Sequence, residues 1–134
     1  MTFCLNQKVL FKHCDPAGIV FYPRYFEIMN DCVEAFFDHI GHPFEQIHEK
    51  GAVPTSKIET SFLRPSRHGD QLSLDLNITK IGNSSLSLSI LTKCVSEERV
   101  HFMATLVNID KDGNPLIWPN DLRMAFTPYL KSEA

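Results

Sequence analysis

The sequence lacks the features that mark membrane proteins and nucleic-acid-binding proteins. It has no excess of positive charge, since 13 basic and 16 acidic side chains give a net charge of -3. Without a cationic surface, neither nucleic acid nor an anionic membrane is an expected partner. The longest apolar runs are also far short of the roughly 20 residues that a membrane-spanning helix requires. We therefore expect a soluble protein with a small or locally bound partner.

Paired cysteines and secretion signals are missing as well. The four cysteines, at positions 4, 14, 32 and 94, form no CxxC pair and no short disulfide spacing. The first residues, MTFCLNQKV, carry neither the basic segment nor the apolar segment that signals secretion. Together these features predict reduced cysteines and a cytoplasmic location.

Motifs of several large enzyme classes are absent from the sequence. It contains no glycine-rich phosphate loop, no GxSxG nucleophile elbow and no HExxH zinc motif. The histidines at 39, 42 and 48 do not match a zinc site, because the first two flank the predicted end of a helix. We expect neither a metal nor a cofactor.

What is present is typical of one globular domain covering residues 1–134. The composition is 43% hydrophobic and 22% charged, and 134 residues suit a single core. Alternating apolar residues predict a first strand over 3–11. After a loop, helical spacing predicts a long apolar helix over 23–40, and a short helix is predicted over 43–50.

The second half of the chain has the alternation of apolar and polar residues that is typical of strands. Four strands are predicted, over 57–63, 72–78, 86–90 and 100–109, and the tail at 119–126 is predicted to carry a short helical turn. The Gly82-Asn83 turn predicts a hairpin between the second and third of these strands. One antiparallel sheet curling around one apolar helix would bury both surfaces, which predicts an α+β fold.

Residues 13–25, HCDPAGIVFYPRY, place a carboxylate just ahead of the long helix. Asp15 lies in turn chemistry, an Asp-Pro followed two residues later by glycine. The N-terminus of a helix exposes unpaired amides and a partial positive charge. A carboxylate beside a carbonyl carbon, with amides at the carbonyl oxygen, would suit acyl transfer. A simpler interpretation is that Asp15 caps the turn and Tyr22 packs.

The segment CDPAGIVFYPRYF closely resembles the motif after the first strand of hot-dog-fold acyl-CoA thioesterases, in particular the 4-hydroxybenzoyl-CoA thioesterase class. The resemblance covers essentially the whole chain, including the Gly-Asp turn at 69–70. It implies an antiparallel sheet wrapped around a central helix, with active sites at the interface of a homodimer that often pairs again into a homotetramer. By position, it implies that Asp15 is the catalytic carboxylate and that the backbone N–H of Tyr22 polarises the thioester carbonyl.

The residues expected to contact the acyl group come partly from this resemblance. Thr55 matches a threonine of the family's acyl pocket, and the aromatic residues Phe21, Tyr22 and Tyr25 favour a flat or small acyl group. His13, two residues before the catalytic position, is a further candidate for contact with substrate, although a histidine at a strand end is often an ordinary hydrogen-bonding residue.

The sequence departs from the hydroxybenzoyl-specific members of the family at three places. Asn30 stands where they have an aspartate near the ring hydroxyl, and Phe21 stands where they have a tryptophan. A neutral amide predicts weak discrimination between benzoyl and 4-hydroxybenzoyl groups. Gly82-Asn83-Ser84 replaces an Arg-Arg-Lys run that holds the nucleotide phosphate. The candidate cations for binding coenzyme A are therefore Arg64, Arg67, Lys80 and Arg99.

The expected function is hydrolysis of an aromatic or short-chain acyl-CoA to the free acid and coenzyme A. Asp15 would attack the carbonyl directly, giving a mixed anhydride, or would activate a water molecule. Two alternatives remain open at this stage. One is hydrolysis of fatty acyl-CoA or acyl carrier protein by the same site, and the other is a hot-dog subunit that binds a thioester without hydrolysing it.

Overall fold

One long helix and a five-stranded antiparallel sheet form most of the protein, for which a computed structural model describes residues 1–131. The helices are α1 (Tyr22–His39), α2 (Phe44–Ile47) and α3 (Asn120–Phe126), with short 3-10 turns at Phe11–His13 and Thr127–Tyr129. The strands are β1 (Phe3–Lys8), β2 (Gly51–Ala52), β3 (Thr55–Phe62), β4 (Gln71–Ile81), β5 (Ser85–Cys94), β6 (Glu97–Val107) and β7 (Ile109–Asp110). The main sheet has the order β1-β4-β5-β6-β3, and β2 pairs with β7.

The long helix predicted from apolar spacing is α1, which begins one residue before the predicted start. Pro23 is its second residue, where a fixed φ suits the first turn and the missing N–H breaks no helical bond. After the helix, Gly41 adopts a φ of +86°, a conformation that glycine reaches at little cost. The residues that α1 buries are Tyr25, Ile28, Met29, Cys32, Val33, Phe36 and Phe37. No helix within residues 1–131 is long and apolar enough to cross a membrane.

The apolar face of the sheet packs against the buried face of α1 in one core. Alternate residues of β4 and β5 are fully buried, as the period of two predicts: Leu72, Leu74, Leu76, Ile78, Leu86, Leu88 and Ile90. The predicted hairpin is confirmed, because β4 pairs antiparallel with β5 and the Gly82 N–H donates to the Ser85 carbonyl at 2.8 Å. This sheet packed on a central helix is the hot-dog architecture that the resemblance implies.

Two predicted elements are shorter in the structure. The first strand ends at Lys8 rather than at residue 11, because the chain turns and the His13 N–H donates to the Leu10 carbonyl at 2.9 Å. The second helix covers Phe44–Ile47 rather than 43–50. The pair formed by β2 and β7 was not predicted, since two residues per strand are too few to show an alternating pattern.

The position of β3 is the feature of the sheet that bears most on function. It pairs with β6 rather than with β4, its neighbour along the chain, from which the loop at 63–70 separates it. As a result β3 forms one edge of the main sheet. Two apolar residues of β3, Ile58 and Phe62, are 46% and 47% exposed. The edge of the sheet therefore presents apolar side chains to solvent.

Candidate active site

Asp15 lies in a short reverse loop that connects β1 to α1. The two sides of this loop pair with each other, because the Asp15 N–H donates to the Ile19 carbonyl at 3.0 Å and the Phe21 N–H donates to the His13 carbonyl at 2.9 Å. Gly18 closes the loop with a φ of +81°, which explains the glycine of the motif. The loop is thus a small backbone-paired unit that fixes the position of Asp15 relative to α1.

The carboxylate of Asp15 is half-buried and only partly used by the turn. Its Oδ1 accepts the Ala17 N–H at 2.8 Å, which confirms that Asp15 shapes the turn. Within residues 1–131, Oδ2 has no hydrogen-bond or ion-pair partner. One carboxylate oxygen is therefore held by the protein while the other is available to a substrate.

The loop leads directly into the N-terminus of α1, whose first residue is Tyr22. The first amides of a helix have no intrahelical acceptor, and they carry the positive end of the helix dipole. Pro23 has no N–H, and the Arg24 N–H donates to the Phe21 carbonyl at 2.8 Å. The amide that this end of the helix offers to a ligand is therefore that of Tyr22.

A second loop, residues 65–70, packs against the Asp15 loop and holds its far side. The Val20 N–H donates to the Ser66 carbonyl at 2.8 Å, and Ile19 forms an antiparallel bridge with Arg67. The Gly-Asp turn at 69–70 that the resemblance singled out belongs to this loop. Its contacts mean that the position of Asp15 depends on residues about fifty positions further along the chain.

Arg99 of β6 supports the 65–70 loop from inside the protein. Its side chain is only 12% exposed, and its Nη1 donates to the Pro65 carbonyl at 3.1 Å, the Ser66 hydroxyl at 3.1 Å and the Asp70 carboxylate at 2.9 Å. The pKa of Asp70 lies below its usual range, chiefly because of the Arg67 N–H and next because of the Arg99 guanidinium. Arg99, a predicted ligand of coenzyme A, is thus occupied by partners within its own subunit.

His13 also supports the loop. It is 5% exposed, and its Nδ1 accepts the Leu10 N–H at 2.9 Å. Burial, followed by the charge of Lys12, lowers the pKa of His13. These contacts favour a neutral ring that stabilises the turn ahead of Asp15, and the contact with substrate stays a prediction.

A small cavity of about 240 Å³ opens beside the N-terminus of α1, and its lining includes Tyr22, Tyr25 and Arg64. Phe62 of the edge strand also lines it, with its ring centroid 6.2 Å from Tyr22 and 5.8 Å from Tyr25. Tyr25 is 4% exposed, and burial raises its pKa. Phe21 is half-exposed with its ring 5.6 Å from that of Tyr22. The predicted aromatic residues therefore do gather at this end of the helix.

A larger cavity of about 380 Å³ lies among α1, α2, β3 and β6. Most of its lining is apolar: Phe26, Met29, Val33, Phe44, Ala52, Val53, Pro54, Ile58, Phe102, Ala104 and Leu106. Its polar side chains are Asn30, His48 and Thr55. Asn30 and Thr55, both predicted to contact the acyl group, are thus brought to one cavity from different elements. Asn30 is exposed and yet faces this cavity, which helical periodicity did not determine.

The predicted cations do not form one cluster. Arg64 lines the small cavity at the N-terminus of α1, and Arg67 is exposed on the adjoining 65–70 loop. Lys80 lies in a separate depression with Lys57, near the end of β4, and Arg99 is largely buried. Of the four, Arg64 and Arg67 are the cations that the structure places near Asp15 and Tyr22.

Sequence reasoning missed the position of His48 and the internal role of Arg99. His48 follows α2, and its Nδ1 lies 2.7 Å from the Phe44 carbonyl oxygen. The spacing of four residues between them is visible in the sequence, but nothing local indicates that α2 borders a cavity.

Among the cysteines, burial raises the pKa of Cys32 to about 12, which makes it a core residue rather than a nucleophile.

Comparisons with known proteins identify a family and several proteins of similar structure. Residues 9–126 match the thioesterase-like superfamily. A 1,4-dihydroxy-2-naphthoyl-CoA thioesterase from Synechocystis has a similar structure, with a TM-score of 0.89 and 17% identity, covering 95% of this chain and 96% of that one. A gentisyl-coenzyme A thioesterase gives a TM-score of 0.83 and 25% identity over 93% and 99% of the two chains. For a probable thioesterase from Bartonella henselae the values are 0.83 and 17% over 89% and 100%.

The superfamily match includes the Asp15 loop, the whole of α1 and four of the five strands of the main sheet, since β1 lies before its start. The structural likeness covers nearly the full length of each chain compared. The protein therefore belongs to the thioesterase-like superfamily and is a thioester hydrolase with the hot-dog fold.

Proposed function

We propose that the protein hydrolyses an aromatic or short-chain acyl-CoA to the free acid and coenzyme A, with Asp15 as nucleophile or general base. One observation carries the proposal. The loop that holds the half-buried Asp15 carboxylate leads directly into the exposed amide end of α1. A thioester carbonyl placed there would meet an anionic oxygen at its carbon and an N–H donor at its oxygen.

Two routes use the same carboxylate. In the nucleophilic route, Asp15 Oδ2 bonds to the carbonyl carbon, the carbon–sulfur bond breaks, and water then hydrolyses the mixed anhydride. In the general-base route, Asp15 takes a proton from water, the hydroxide adds to the carbonyl carbon, and the thiolate leaves. Both routes require an ionised carboxylate, so replacing it with an amide should stop either one.

The Tyr22 amide is the proposed donor to the developing oxyanion. Its N–H belongs to the backbone and lies at the positive end of an 18-residue helix, so it needs no reorientation during the reaction. A single donor of this kind typically contributes about 10²- to 10³-fold to turnover. The Tyr22 side chain, 59% exposed, is free to border the acyl group.

The larger cavity is the proposed acyl site. Its volume of about 380 Å³ and its mainly apolar lining are typical of pockets for small aromatic ligands. The Synechocystis and gentisyl-coenzyme A relatives are described as acting on aromatic acyl-CoA thioesters. We extend that substrate class to this chain, with Asn30 and Thr55 as polar contacts and Phe21 and Tyr25 as aromatic supports nearer the helix tip.

Coenzyme A needs cations for its phosphates, and Arg64 and Arg67 are our candidates. Arg64 lines the cavity beside Tyr22, and Arg67 lies exposed on the loop that holds Ile19. Both would stand outside the helix N-terminus, where the nucleotide of a bound thioester would extend toward solvent. Lys80 and Arg99 are less suited, because one lies apart and the other is occupied internally.

We also propose that the protein acts as a homodimer and that two such dimers pair into a homotetramer. An unpaired edge strand is a ready surface for a second copy, and β3 carries the half-exposed Ile58 and Phe62. Both residues also line the cavities described above. A second copy at this edge would therefore enclose the acyl site as well as the strand.

The experiment that tests the function measures thiol release from a panel of thioesters. The panel contains benzoyl-, 4-hydroxybenzoyl-, phenylacetyl-, butyryl- and palmitoyl-CoA, together with acyl carrier protein carrying an acyl group. We expect the highest kcat/KM for an aromatic or short-chain acyl-CoA. A preference for palmitoyl-CoA or for the carrier protein would favour the first alternative. Binding of the thioesters without thiol release would favour a non-catalytic subunit and would overturn the proposal.

A further inference from the structure

We infer that His48 is a specificity-determining residue that accepts a hydrogen bond from a hydroxyl group on the acyl moiety. The inference rests on the proposed function, since it concerns the acyl site of that reaction. It names the substrate class more narrowly, as aromatic acyl groups that carry a hydroxyl or a similar hydrogen-bond donor. His48 was not expected to have a role from the sequence.

The cavity contains few groups that could recognise a polar substituent. Eleven of its fourteen lining residues are apolar, and the other three are Asn30, His48 and Thr55. None of the three carries a fixed charge, so the site has no permanent counter-ion for a second carboxylate on the substrate. A buried substrate hydroxyl would nevertheless need a partner, because an unpaired donor in an apolar cavity is costly.

The hydrogen bond inside the turn fixes which nitrogen of His48 is available. Nδ1 lies 2.7 Å from the Phe44 carbonyl oxygen, and a carbonyl oxygen can only accept. Nδ1 therefore carries the proton, and in the neutral ring Nε2 has a lone pair and acts as an acceptor. A substrate hydroxyl donates to such an acceptor, whereas a ketone or an ether does not.

The ring of His48 is also held in place by its neighbours. It lies edge-to-face with Phe44, with ring centroids 5.3 Å apart, and Phe44 in turn packs on Phe37 at 5.1 Å. Phe37 is fully buried in the core. His48 itself is exposed, and its two contacts with Phe44, one through Nδ1 and one through the ring, restrict the ring and so reduce the entropy that it loses when it binds a ligand.

The other polar residues complement this acceptor. Asn30 lies on α1 and Thr55 at the start of β3, so the three polar groups approach the cavity from three different elements. The Asn30 amide and the Thr55 hydroxyl can each donate as well as accept. Among the three, His48 is the one whose partner within the protein leaves a nitrogen that can only accept.

The test compares kcat/KM for 3-hydroxybenzoyl-, 4-hydroxybenzoyl- and benzoyl-CoA in the wild-type protein and three variants. His48→Phe keeps a ring and removes the acceptor, and His48→Gln restores a side-chain acceptor. His101→Phe is the matched control, because His101 is a half-exposed histidine on β6 outside the cavity. One neutral hydrogen bond typically corresponds to roughly 3- to 10-fold in kcat/KM.

We expect the wild-type protein to prefer one of the hydroxylated substrates over benzoyl-CoA by roughly 3- to 10-fold. His48→Phe should lower kcat/KM for the preferred hydroxylated substrate roughly 3- to 10-fold more than for benzoyl-CoA, which removes the preference, and His48→Gln should restore part of it. An unchanged preference in His48→Phe would overturn the inference. An equal loss with all three substrates would also overturn it, because it would assign His48 to packing alone.

A binding measurement separates this inference from the proposed function. If no acyl-CoA is hydrolysed, the proposed function fails. The role of His48 is still tested by the affinities for 4-hydroxybenzoate, 3-hydroxybenzoate and benzoate, measured by NMR titration. A hydroxyl preference in binding that His48→Phe removes would support the inference on its own. Equal affinities for all three acids in the wild-type protein would contradict it.

Discussion

Two aspartates of this protein shape turns in the same way and yet differ in what surrounds them. Asp15 Oδ1 accepts the Ala17 N–H at 2.8 Å, and Asp110 Oδ1 accepts the N–H groups of Asp112 and Asn114 at 2.9 Å. The local hydrogen bonding gives neither residue a special chemistry. What distinguishes Asp15 is that its loop leads into the amide end of α1, beside an aromatic cavity.

The lowered pKa of His13 predicts a loss of stability in mild acid. The unfolded chain takes up a proton at this residue near pH 6.5, while the folded protein does so only at a lower pH. Since the unfolded state then binds more protons, the free energy of unfolding falls as the pH drops below about 6.5. His13→Asn, which cannot titrate, should show a smaller loss between pH 7.5 and pH 5.0 in urea denaturation.

The exposed His68 provides the control for that prediction, because His68→Asn replaces an exposed imidazole and leaves the buried one in place. Its loss of stability over the same pH range should match that of the wild-type protein. If His13→Asn and the wild-type protein lost stability to the same extent, the account of His13 as a buried neutral residue would be wrong.

At the scale of single residues, the features that could be predicted from the sequence are those that a local pattern encodes. The turn at Asp15 follows from its Asp-Pro and Gly18, and the start of α1 follows from Pro23. The partners of Arg99 and the cavity beside His48 depend on contacts between elements distant in the chain. No periodicity carries that information, so the sequence did not show that Arg99, a predicted coenzyme A ligand, forms an internal ion pair with Asp70.

At the scale of elements, two loops and a strand act together to position the carboxylate of Asp15, the proposed nucleophile or base. The Asp15 loop pairs with the 65–70 loop through Val20 and Ser66, and Arg99 of β6 fastens the 65–70 loop to the sheet. Through Arg99, the main sheet therefore helps to position the Asp15 loop. Changes at Arg99 should therefore affect turnover through the loop that holds Asp15.

Arg99→Met should lower both the stability and the turnover of the protein. It would leave the Asp70 carboxylate, whose side chain is 29% exposed, without its guanidinium partner. A charge-assisted hydrogen bond of this kind is typically worth about 2 kcal/mol. We expect kcat to fall more than KM rises, since the loop that holds Asp15 loosens while the acyl cavity stays intact.

The matched control is Lys57→Met, which removes the cation of the exposed pair between Lys57 and Glu59. Such surface pairs contribute little, so its denaturation midpoint and kcat should stay near the wild-type values. Arg99→Lys should recover part of the turnover. If Arg99→Met raised KM for the thioester and left kcat unchanged, a direct contact with coenzyme A would be indicated instead.

Elements with a long and regular pattern were predicted well, and short ones were not. The apolar spacing of α1 and the alternation of β4 and β5 recur often enough to outweigh local exceptions. The pairing of β3 with β6 could not be derived in the same way, because an eight-residue link is compatible with several neighbours. The family resemblance implied the overall architecture that periodicity left open.

At the scale of the whole molecule, the free edge at β3 is the most distinctive surface. Ile58 lies on the strand that ends the sheet, and it also lines the larger cavity. A protein of this size seldom leaves apolar edge residues uncovered, because they favour association. The dimer that we propose would bury this edge and complete the acyl site.

Ile58→Asp should shift the protein from dimer to monomer in sedimentation velocity and should lower thioesterase activity. A charge at this position would be buried without a partner if a second copy covered the edge. Met103→Asp is the control, since Met103 is 44% exposed on the neighbouring strand and lies outside the larger cavity. A wild-type protein that sediments as a monomer at micromolar concentration would contradict the proposed dimer.

The most direct test of the central claim compares Asp15→Asn with Asp110→Asn on the best acyl-CoA substrate. Each variant replaces a turn-shaping carboxylate with an amide that can keep the turn contact, and only the first removes the proposed nucleophile or base. With both variants folded, we predict that Asp15→Asn lowers kcat by about 10²-fold or more and that Asp110→Asn leaves it near the wild-type value. Wild-type turnover in Asp15→Asn would contradict the account.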